Sequence, residues 1–227
     1  MPNKTTPKKA KQIMAILTQK YSHAKCELTY NSPFQLLISV ILSAQCTDKQ
    51  VNRVTPNLFK YYANAFKLAN ADINHVKELI NSIGFFNTKA KNIINCARVL
   101  VEKYNGQVPE SIEKLVELPG VGRKTANVVL GVVFNQRAWT VDTHLNRLSN
   151  RLGFTDKSDP YDIEMDLIKL FKNDDWSFYS IVLIFHGRQI CKAISPLCTI
   201  CPVKDLCPSF ENLAKKVKKS KTTSKIK

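Results

Sequence analysis

The chain has 227 residues, of which 44% are hydrophobic and 23% charged, and its formal net charge is +16. This length supports one large or two small domains with a hydrophobic core, and the composition excludes disordered chains, collagen-like chains and disulfide-stapled miniproteins. No segment approaches the roughly 20 apolar residues that span a bilayer, and no apolar stretch follows the Lys-rich residues 1–11, so we expect neither a membrane anchor nor a secretion signal.

The predicted elements are all helices. Hydrophobic residues recur at helical spacing along almost the whole chain, without convincing period-two alternation. Ser32 and Thr47 are each followed three residues later by Gln, which indicates N-caps. We expect Pro56 to limit the helix after Thr47 unless the chain kinks there. The other predicted helices lie near 12–20, 34–44, 74–82, 88–104, 112–117, 123–134, 143–152, 160–172 and 177–190.

The positive charge lies mostly in two tails. Residues 1–11 contain four Lys and residues 215–227 contain seven Lys, and neither segment contains an acidic residue. The remaining 23 basic and 18 acidic residues leave the body of the chain at only +5. Such tails are often merely solvated, but on a nucleic-acid-binding protein they add salt-sensitive, sequence-independent affinity. Charge alone therefore indicates a polyanionic partner only weakly.

The composition changes at residue 191. Seven of the eighteen positions from 191 to 208 are Cys or Pro, which predicts a compact loop rather than a helix. Four thiolates within this stretch can bind one metal centre, and nothing suggests an oxidising compartment that would favour disulfides. The spacing alone leaves zinc and an iron–sulfur cluster open, with zinc slightly favoured. The C-x6-C-x2-C-x5-C pattern is formed by Cys191, Cys198, Cys201 and Cys207.

Two predicted helices at 112–117 and 123–134 are joined by the turn LPGVG. In this turn Gly120 and Gly122 enclose one apolar residue, Val121. Glycine allows unusual backbone angles and close approach of another backbone, and N–H groups at the start of the second helix could bind a phosphate. Ordinary helix-turn-helix corners also contain Gly-x-Gly, so the spacing by itself does not separate the two interpretations.

The longer hairpin sequence LPGVGRKTANVVL resembles the helix-hairpin-helix of the endonuclease III family of DNA glycosylases. Five further features resemble that family in the same order: NSPFQLLISVILSAQCTD, IGFFNTKAKNII, TVDTHLNRL, FHGRQIC and the four-cysteine spacing. The resemblance implies a two-domain, all-α fold and assigns the four cysteines to a chiefly structural [4Fe–4S] cluster. The domains would be a six-helix barrel at 26–135, including the hairpin at 112–134, and a cluster domain formed by 1–25 and 136–211. A basic tail would follow at 212–227.

The resemblance also places the family's catalytic pair at Lys124 and Asp142, 18 residues apart. A protonated lysine is not nucleophilic, but the helix dipole in the first turn and burial would both favour the neutral amine of Lys124. That amine could attack C1′ of the sugar, expel the base and form a Schiff base, which allows β-elimination of the 3′ phosphate. Asp142 would stabilise positive charge at the sugar, and its position is also typical of a helix N-cap, so both roles can hold together.

A damaged nucleotide must leave the base stack before its sugar can react, and a side chain must fill the space. By resemblance, Gln45 fills this space, and Phe85 occupies the position of a wedge residue that is usually aliphatic in the family; a core position is the alternative for Phe85. In the loop KAISPL, where the family often has several basic residues that face phosphate, this chain has only Lys192, so we expect weaker phosphate contact. We interpret His144 and His186 as structural.

Together these features predict a base-excision-repair glycosylase that removes oxidised pyrimidines from duplex DNA through a lysine Schiff base and then cleaves the abasic strand. Its partner would be double-stranded DNA with damaged pyrimidines or abasic sites, bound by a monomer in the cytoplasm, at the nucleoid, of a bacterium. One alternative is an adenine-mismatch glycosylase, a class that lacks the Schiff-base lysine and carries an additional C-terminal domain. The other is a non-catalytic module that binds DNA with the hairpin and a zinc knot.

Overall fold

A computed structural model describes residues 4–215, and the C-terminal part of the predicted tail, 216–227, lies outside these residues. The described chain is helical without strands, so the all-α prediction is confirmed. None of its helices has both the length and the apolar character of a membrane span. The α-helices are α1 (Pro7–Lys20), α2 (Pro33–Ser43), α3 (Asp48–Tyr61), α4 (Ala65–Ala69), α5 (Ile73–Ile80), α6 (Phe86–Tyr104), α7 (Ile112–Val116), α8 (Arg123–Val133), α9 (Thr143–Arg151), α10 (Pro160–Leu170) and α11 (Trp176–Gln189).

Polar side chains cap the start of most helices. The hydroxyl of Ser32 accepts a hydrogen bond from the Gln35 N–H, and that of Thr47 accepts one from the Gln50 N–H, which confirms both predicted N-caps. Among α1–α11, only α6 and α8 lack a side-chain cap. Their N-cap residues, Phe85 and Gly122, therefore provide no side chain that accepts a hydrogen bond from the first turn of these two helices.

The expected end of a helix at Pro56 is wrong. α3 continues through Pro56 to Tyr61. Its second half buries Val54, Thr55 and Leu58, so packing outweighs the hydrogen bond that proline removes. The short helix α4 was absent from the predicted elements because five residues are too few to show helical periodicity.

The chain forms two compact units, and the first comprises residues 26–138. It contains α2–α8, arranged around α2, in which Phe34 and all residues from Leu36 to Leu42 are buried. α2 packs against α3, α6 and α8, while α6 packs against α4 and α5. Leu115, Val121 and Ala126 anchor the α7–α8 hairpin to this core. The hairpin is thus a surface feature on a rigid helical support.

The second unit comprises residues 1–25 and 139–227. In its described part, α11 packs against α1 and α9. Their shared core includes Trp139 and Phe171, whose ring centroids lie 5.7 Å apart, together with Leu17 and Leu148. After α11 the chain continues into the cysteine loop, which contains two short 3-10 helices, Cys198–Ile200 and Lys204–Leu206.

Candidate functional site

The turn of the α7–α8 hairpin requires glycine at one of its two glycine positions. Gly120 has a φ of +81°, and a Cβ atom there would lie 3.0 Å from Cβ of Asn92. Gly122 has an extended backbone with φ −92°, and a Cβ atom there would meet nothing within 4 Å. Between them, Val121 is buried and donates its N–H to the Leu118 carbonyl over 3.0 Å. The fold therefore needs Gly120, whereas the surface at Gly122 is open.

Lys124 is the second residue of α8, and it is exposed. Burial, which the sequence analysis named as a second possible influence on this amine, is therefore absent in the protein without DNA. The helix starts at Gly122, which has no side chain, and its first turn contains no acidic residue. The positive end of the α8 dipole therefore lies beside Lys124, an arrangement that favours an anion such as phosphate.

Asp142 belongs to the unit that contains the cysteine loop, and it is half-buried. Its Oδ1 accepts a hydrogen bond from the Leu145 N–H over 2.8 Å, so the predicted N-cap of α9 is confirmed. Burial lowers the pKa of His144, and the Asp142 carboxylate opposes this shift. Because the lowered pKa keeps the ring neutral at neutral pH, Nδ1 of His144 can accept a hydrogen bond from Nη2 of Arg147 over 3.1 Å. The hydrogen bond from the Leu145 N–H orients the Asp142 carboxylate.

Gln45 and Phe85 lie in two loops of the unit 26–138, and both are exposed. Phe85 is 68% exposed, so its interpretation as a core residue is wrong. Both residues have a left-handed backbone, with φ of +53° and +59°. For residues other than glycine this conformation costs about 1 kcal/mol or more, and it is common at functional sites. An exposed aromatic ring on such a loop is compatible with insertion between bases.

The four cysteines are half-buried, and the charges of their thiols influence one another. Burial raises the pKa of Cys207 to about 11, and the three other thiols act in the same direction. Four thiolates at this spacing therefore need a bound cationic centre, and an iron–sulfur cluster accepts such a donor set. No group of three His, Cys, Asp or Glu side chains within residues 4–215 lies close enough to hold a single metal ion.

Two arginines of α9 hold the cysteine loop, although the sequence analysis assigned them no role. Nη1 of Arg151 donates to the Lys192 carbonyl over 2.7 Å and contacts Sγ of Cys191 at 3.5 Å, and its Nη2 donates to the Ala193 carbonyl over 3.0 Å. Nε of Arg147 donates to the Cys191 carbonyl over 3.2 Å. The two arginines are four residues apart and so share one face of α9. This spacing was the sequence signal that the two arginines act together, but no residue close to them in sequence identified the cysteine loop as their partner.

His186 links this loop to the core of its unit. It is 1% exposed, and burial lowers its pKa to about 4, so the ring is neutral at neutral pH. Nδ1 lies 3.1 Å from the Tyr21 hydroxyl, and Nε2 lies 3.6 Å from Sγ of Cys201. Burial raises the pKa of Tyr21 to about 12, so its hydroxyl can donate to Nδ1, which leaves the Nε2–H to donate to the Cys201 sulfur. These contacts agree with a structural role for His186.

Comparison with known proteins identifies the family. A family model for HhH-GPD superfamily base excision DNA repair proteins matches residues 38–173, and a model for the iron–sulfur binding domain of endonuclease III matches residues 191–207. Endonuclease III of Synechocystis sp. is 52% identical over 204 residues, which cover 89% of this chain and 93% of the relative. The chain belongs to the endonuclease III family. It binds an iron–sulfur cluster, as the second family model indicates.

Solved structures of endonuclease III bound to DNA have the same fold. A non-covalent endonuclease III–DNA complex is 40% identical, with a TM-score of 0.87 over 92% of this chain and 99% of that chain. A trapped endonuclease III–DNA covalent intermediate is 41% identical, with a TM-score of 0.86 over 91% of this chain and 98% of that chain. The predicted helix-hairpin-helix glycosylase fold is therefore confirmed, and the chain is a DNA glycosylase with abasic-site lyase activity. The prediction of a non-catalytic DNA-binding module is wrong.

Proposed function

We propose that this member of the endonuclease III family removes oxidised pyrimidines from duplex DNA through a Schiff base on Lys124. The observation that carries the proposal is the position of Lys124, which is exposed in the first turn of an uncapped helix immediately after the hairpin turn. A substrate sugar can reach an amine in this position, and the adjacent helix end favours a phosphate close by. A relative that is 41% identical forms a covalent intermediate with DNA, which supports a covalent step in this chain.

In the proposed reaction the neutral Lys124 amine forms a bond to C1′ of the damaged nucleotide. The C1′–N bond breaks, and the base leaves with the electron pair and takes up a proton. The C1′–O4′ bond then breaks, and O4′ takes up the proton that the attached amine has lost. This ring opening leaves a protonated imine between Lys124 and C1′, whose positive charge acidifies the C2′ proton. Loss of that proton to a base expels the 3′ phosphate, and water then hydrolyses the imine to free the lysine.

We assign to Asp142 the stabilisation of positive charge that develops at the sugar. Its carboxylate is already oriented by the hydrogen bond from the Leu145 N–H, so no reorganisation is needed when charge develops. The same carboxylate can help to move protons during base release. Capping needs only an acceptor oxygen, whereas charge stabilisation needs the negative charge of the carboxylate, so an Asp142→Asn substitution can separate the two roles.

The remaining proposed DNA contacts divide into backbone and base contacts. The turn at Gly120, Val121 and Gly122 would approach a phosphate, because Gly122 is open and the first turn of α8 has no side-chain cap. The exposed Lys192 would add one phosphate contact. Gln45 and Phe85 would enter the base stack when the damaged nucleotide leaves it.

We further propose that the cofactor is a [4Fe–4S] cluster held by Cys191, Cys198, Cys201 and Cys207. When bound, the cluster would link four points of a loop that has little helical structure of its own. The barrel domain would correspond to residues 26–138 and the cluster domain to residues 1–25 with the chain after 138. The protein would act on DNA in the bacterial cytoplasm.

Cleavage of a panel of duplexes, each with one defined lesion, tests the substrate assignment. We expect strand cleavage at thymine glycol and dihydrouracil, and none at adenine in a mismatch or at undamaged thymine. An abasic duplex serves as a positive control for the lyase step. Removal of mismatched adenine without strand cleavage would contradict the proposal and favour the adenine-mismatch alternative.

A further inference from the structure

Lys89 is a buried lysine that the proposed chemistry does not use. It lies on α6 and is 5% exposed. Its Nζ donates hydrogen bonds to the Leu42 carbonyl over 2.9 Å and to the Ala44 carbonyl over 2.7 Å. These carbonyls belong to the last turn of α2 and to the residue that follows it, where a helix dipole favours a cation. Burial lowers the pKa of Lys89, and the nearby Cys46 opposes this shift.

The Lys89 side chain joins the first turn of α6, directly after Phe85, to the end of α2, directly before Gln45. Its ammonium donates to the carbonyl of Ala44, the residue immediately before Gln45. The Lys89 backbone N–H also donates to the Phe85 carbonyl over 3.0 Å, as in the first turn of any regular helix. A second connection joins neighbouring residues, because Nε2 of Gln50 in the first turn of α3 donates to the hydroxyl of Ser82 over 2.8 Å. The Gln50 contact is exposed, whereas the Lys89 contacts lie in the interior.

The two loops need such support because their backbones are strained. Gln45 and Phe85 both have left-handed φ angles, each of which costs about 1–3 kcal/mol outside glycine. A conformation of this kind persists only where its surroundings hold it. At Phe85 no side chain of the N-cap residue caps the start of α6, and the Lys89 side chain ties the first turn of this helix to the end of α2.

We propose that Lys89 is a positioning residue that holds the Gln45 and Phe85 loops ready to enter the base stack. The inference rests on the proposed roles of these two side chains. Lys89 would touch neither substrate nor reacting atoms. Its effect would be to order both loops before DNA binds, so that extrusion of the damaged nucleotide requires no rearrangement of the protein.

The test compares Lys89→Met with Lys91→Met at saturating protein. Lys91 is an exposed lysine on the same helix, so its substitution removes the same charge without affecting the buried bonds. The first readout is the single-turnover rate on a duplex with a paired oxidised pyrimidine, and the second is the rate on a single-stranded abasic oligonucleotide, which needs no base extrusion. The third is the fluorescence change of 2-aminopurine placed opposite the lesion.

For Lys89→Met we expect a loss on the order of 100-fold on the paired lesion, since small misplacements of positioned groups have effects of that size. The 2-aminopurine response should fall with it, while the abasic oligonucleotide is cleaved at close to the wild-type rate. Lys91→Met should resemble the wild type on both substrates at saturation. A folded Lys89→Met protein that loses activity equally on both substrates, or on neither, would overturn the inference.

Two additional sets of variants separate a failure of the positioning role from misfolding and from a failure of the proposed insertion roles. If Lys89→Met does not fold, as judged by circular dichroism, Lys89→Gln replaces the ammonium with a shorter, neutral amide, which weakens the bonds to the Leu42 and Ala44 carbonyls, and the same loss on the paired lesion alone is expected. Gln45→Ala and Phe85→Ala test the proposed insertion itself. If neither slows cleavage of the paired lesion, the insertion roles fail. If they do slow it and the Lys89 variants do not, only the positioning role fails.

Discussion

The segments of the unit 26–138 that carry the proposed DNA contacts and the cysteine loop after α11 differ in where their polar groups find partners. In the first region Lys124, Gln45 and Phe85 are exposed, and a Cβ atom at Gly122 would meet nothing within 4 Å. In the second region the thiols are half-buried, and arginine and histidine side chains of the same unit contact the loop. DNA would complete the first region, whereas a bound cluster would complete the second. Substitutions in the first should change chemistry and leave stability alone, and substitutions in the second should do the opposite.

The largest effect is expected at Lys124. Lys124→Gln should lower base removal and strand cleavage more than about 1,000-fold even at saturating protein, because the nucleophile itself is missing. Its free energy of unfolding should change by less than about 0.5 kcal/mol, since the side chain is exposed. Single-turnover assays and thermal unfolding measure the two quantities. Lys114→Gln, at an exposed lysine of α7, is the matched control. A Lys124→Gln protein whose rate recovers at high protein concentration would indicate a phosphate contact instead.

Cys191→Ser should have the opposite effect to Lys124→Gln, because it should lower the stability of the protein rather than remove a reacting group. Loss of one cluster ligand should destabilise the unit that contains α9 and α11 by more than about 4 kcal/mol, which is typical when a structural metal centre is lost. Iron content and unfolding by denaturant measure the change. Cys26→Ser, at a half-buried cysteine of the other unit, should retain its iron. Normal iron content and stability in Cys191→Ser would remove this cysteine from the ligand set.

Two substitutions at Asp142 can separate its proposed catalytic role from its role as a helix cap. Asn caps helices as well as Asp does, so Asp142→Asn should unfold at the wild-type temperature but remove bases about 100-fold more slowly. Asp142→Ala should lose the same activity and also about 1 kcal/mol of stability, because the Leu145 N–H loses its acceptor. Rates at saturating protein and thermal unfolding test both statements. Equal activity of Asp142→Asn and the wild type would leave only the capping role.

A smaller effect is expected at Arg151. Arg151→Met should destabilise the cysteine-loop unit by about 2 kcal/mol, because carbonyls of that loop lose a charged donor. Iron should also be released faster to a chelator. Arg53→Met, at an exposed arginine of the other unit, should show neither change. Unaltered iron release in Arg151→Met would show that the loop holds its shape without this arginine.

Local patterns predicted most of the fold but not its long-range partners. Helix spacing, the polar caps at Ser32 and Thr47, and the four-cysteine spacing all depend on residues close in sequence. Lys89 also left a local signal, because it lies on the same face of α6 as the buried Ile93 and Leu100. Its acceptors are more than 40 residues away, however, and only the tertiary structure brings them together.

The same distinction explains two side-chain environments that the sequence left open. The residues next to Phe85 in sequence allowed both a wedge and a core position, and its exposure follows from a left-handed turn before α6. The sequence likewise did not show whether the Lys124 side chain is buried. The structure leaves it exposed, so any burial has to come from bound DNA.

The central claim is that the amine of Lys124 forms the bond to the sugar, and a trapped adduct tests it most directly. Wild-type protein is mixed with an abasic duplex in the presence of borohydride, which reduces the imine to a stable amine. The cross-linked protein is then digested, and the modified residue is located by peptide mass spectrometry. We expect the sugar remnant on Lys124. A remnant on another amine, or equal trapping by Lys124→Gln, would contradict the account.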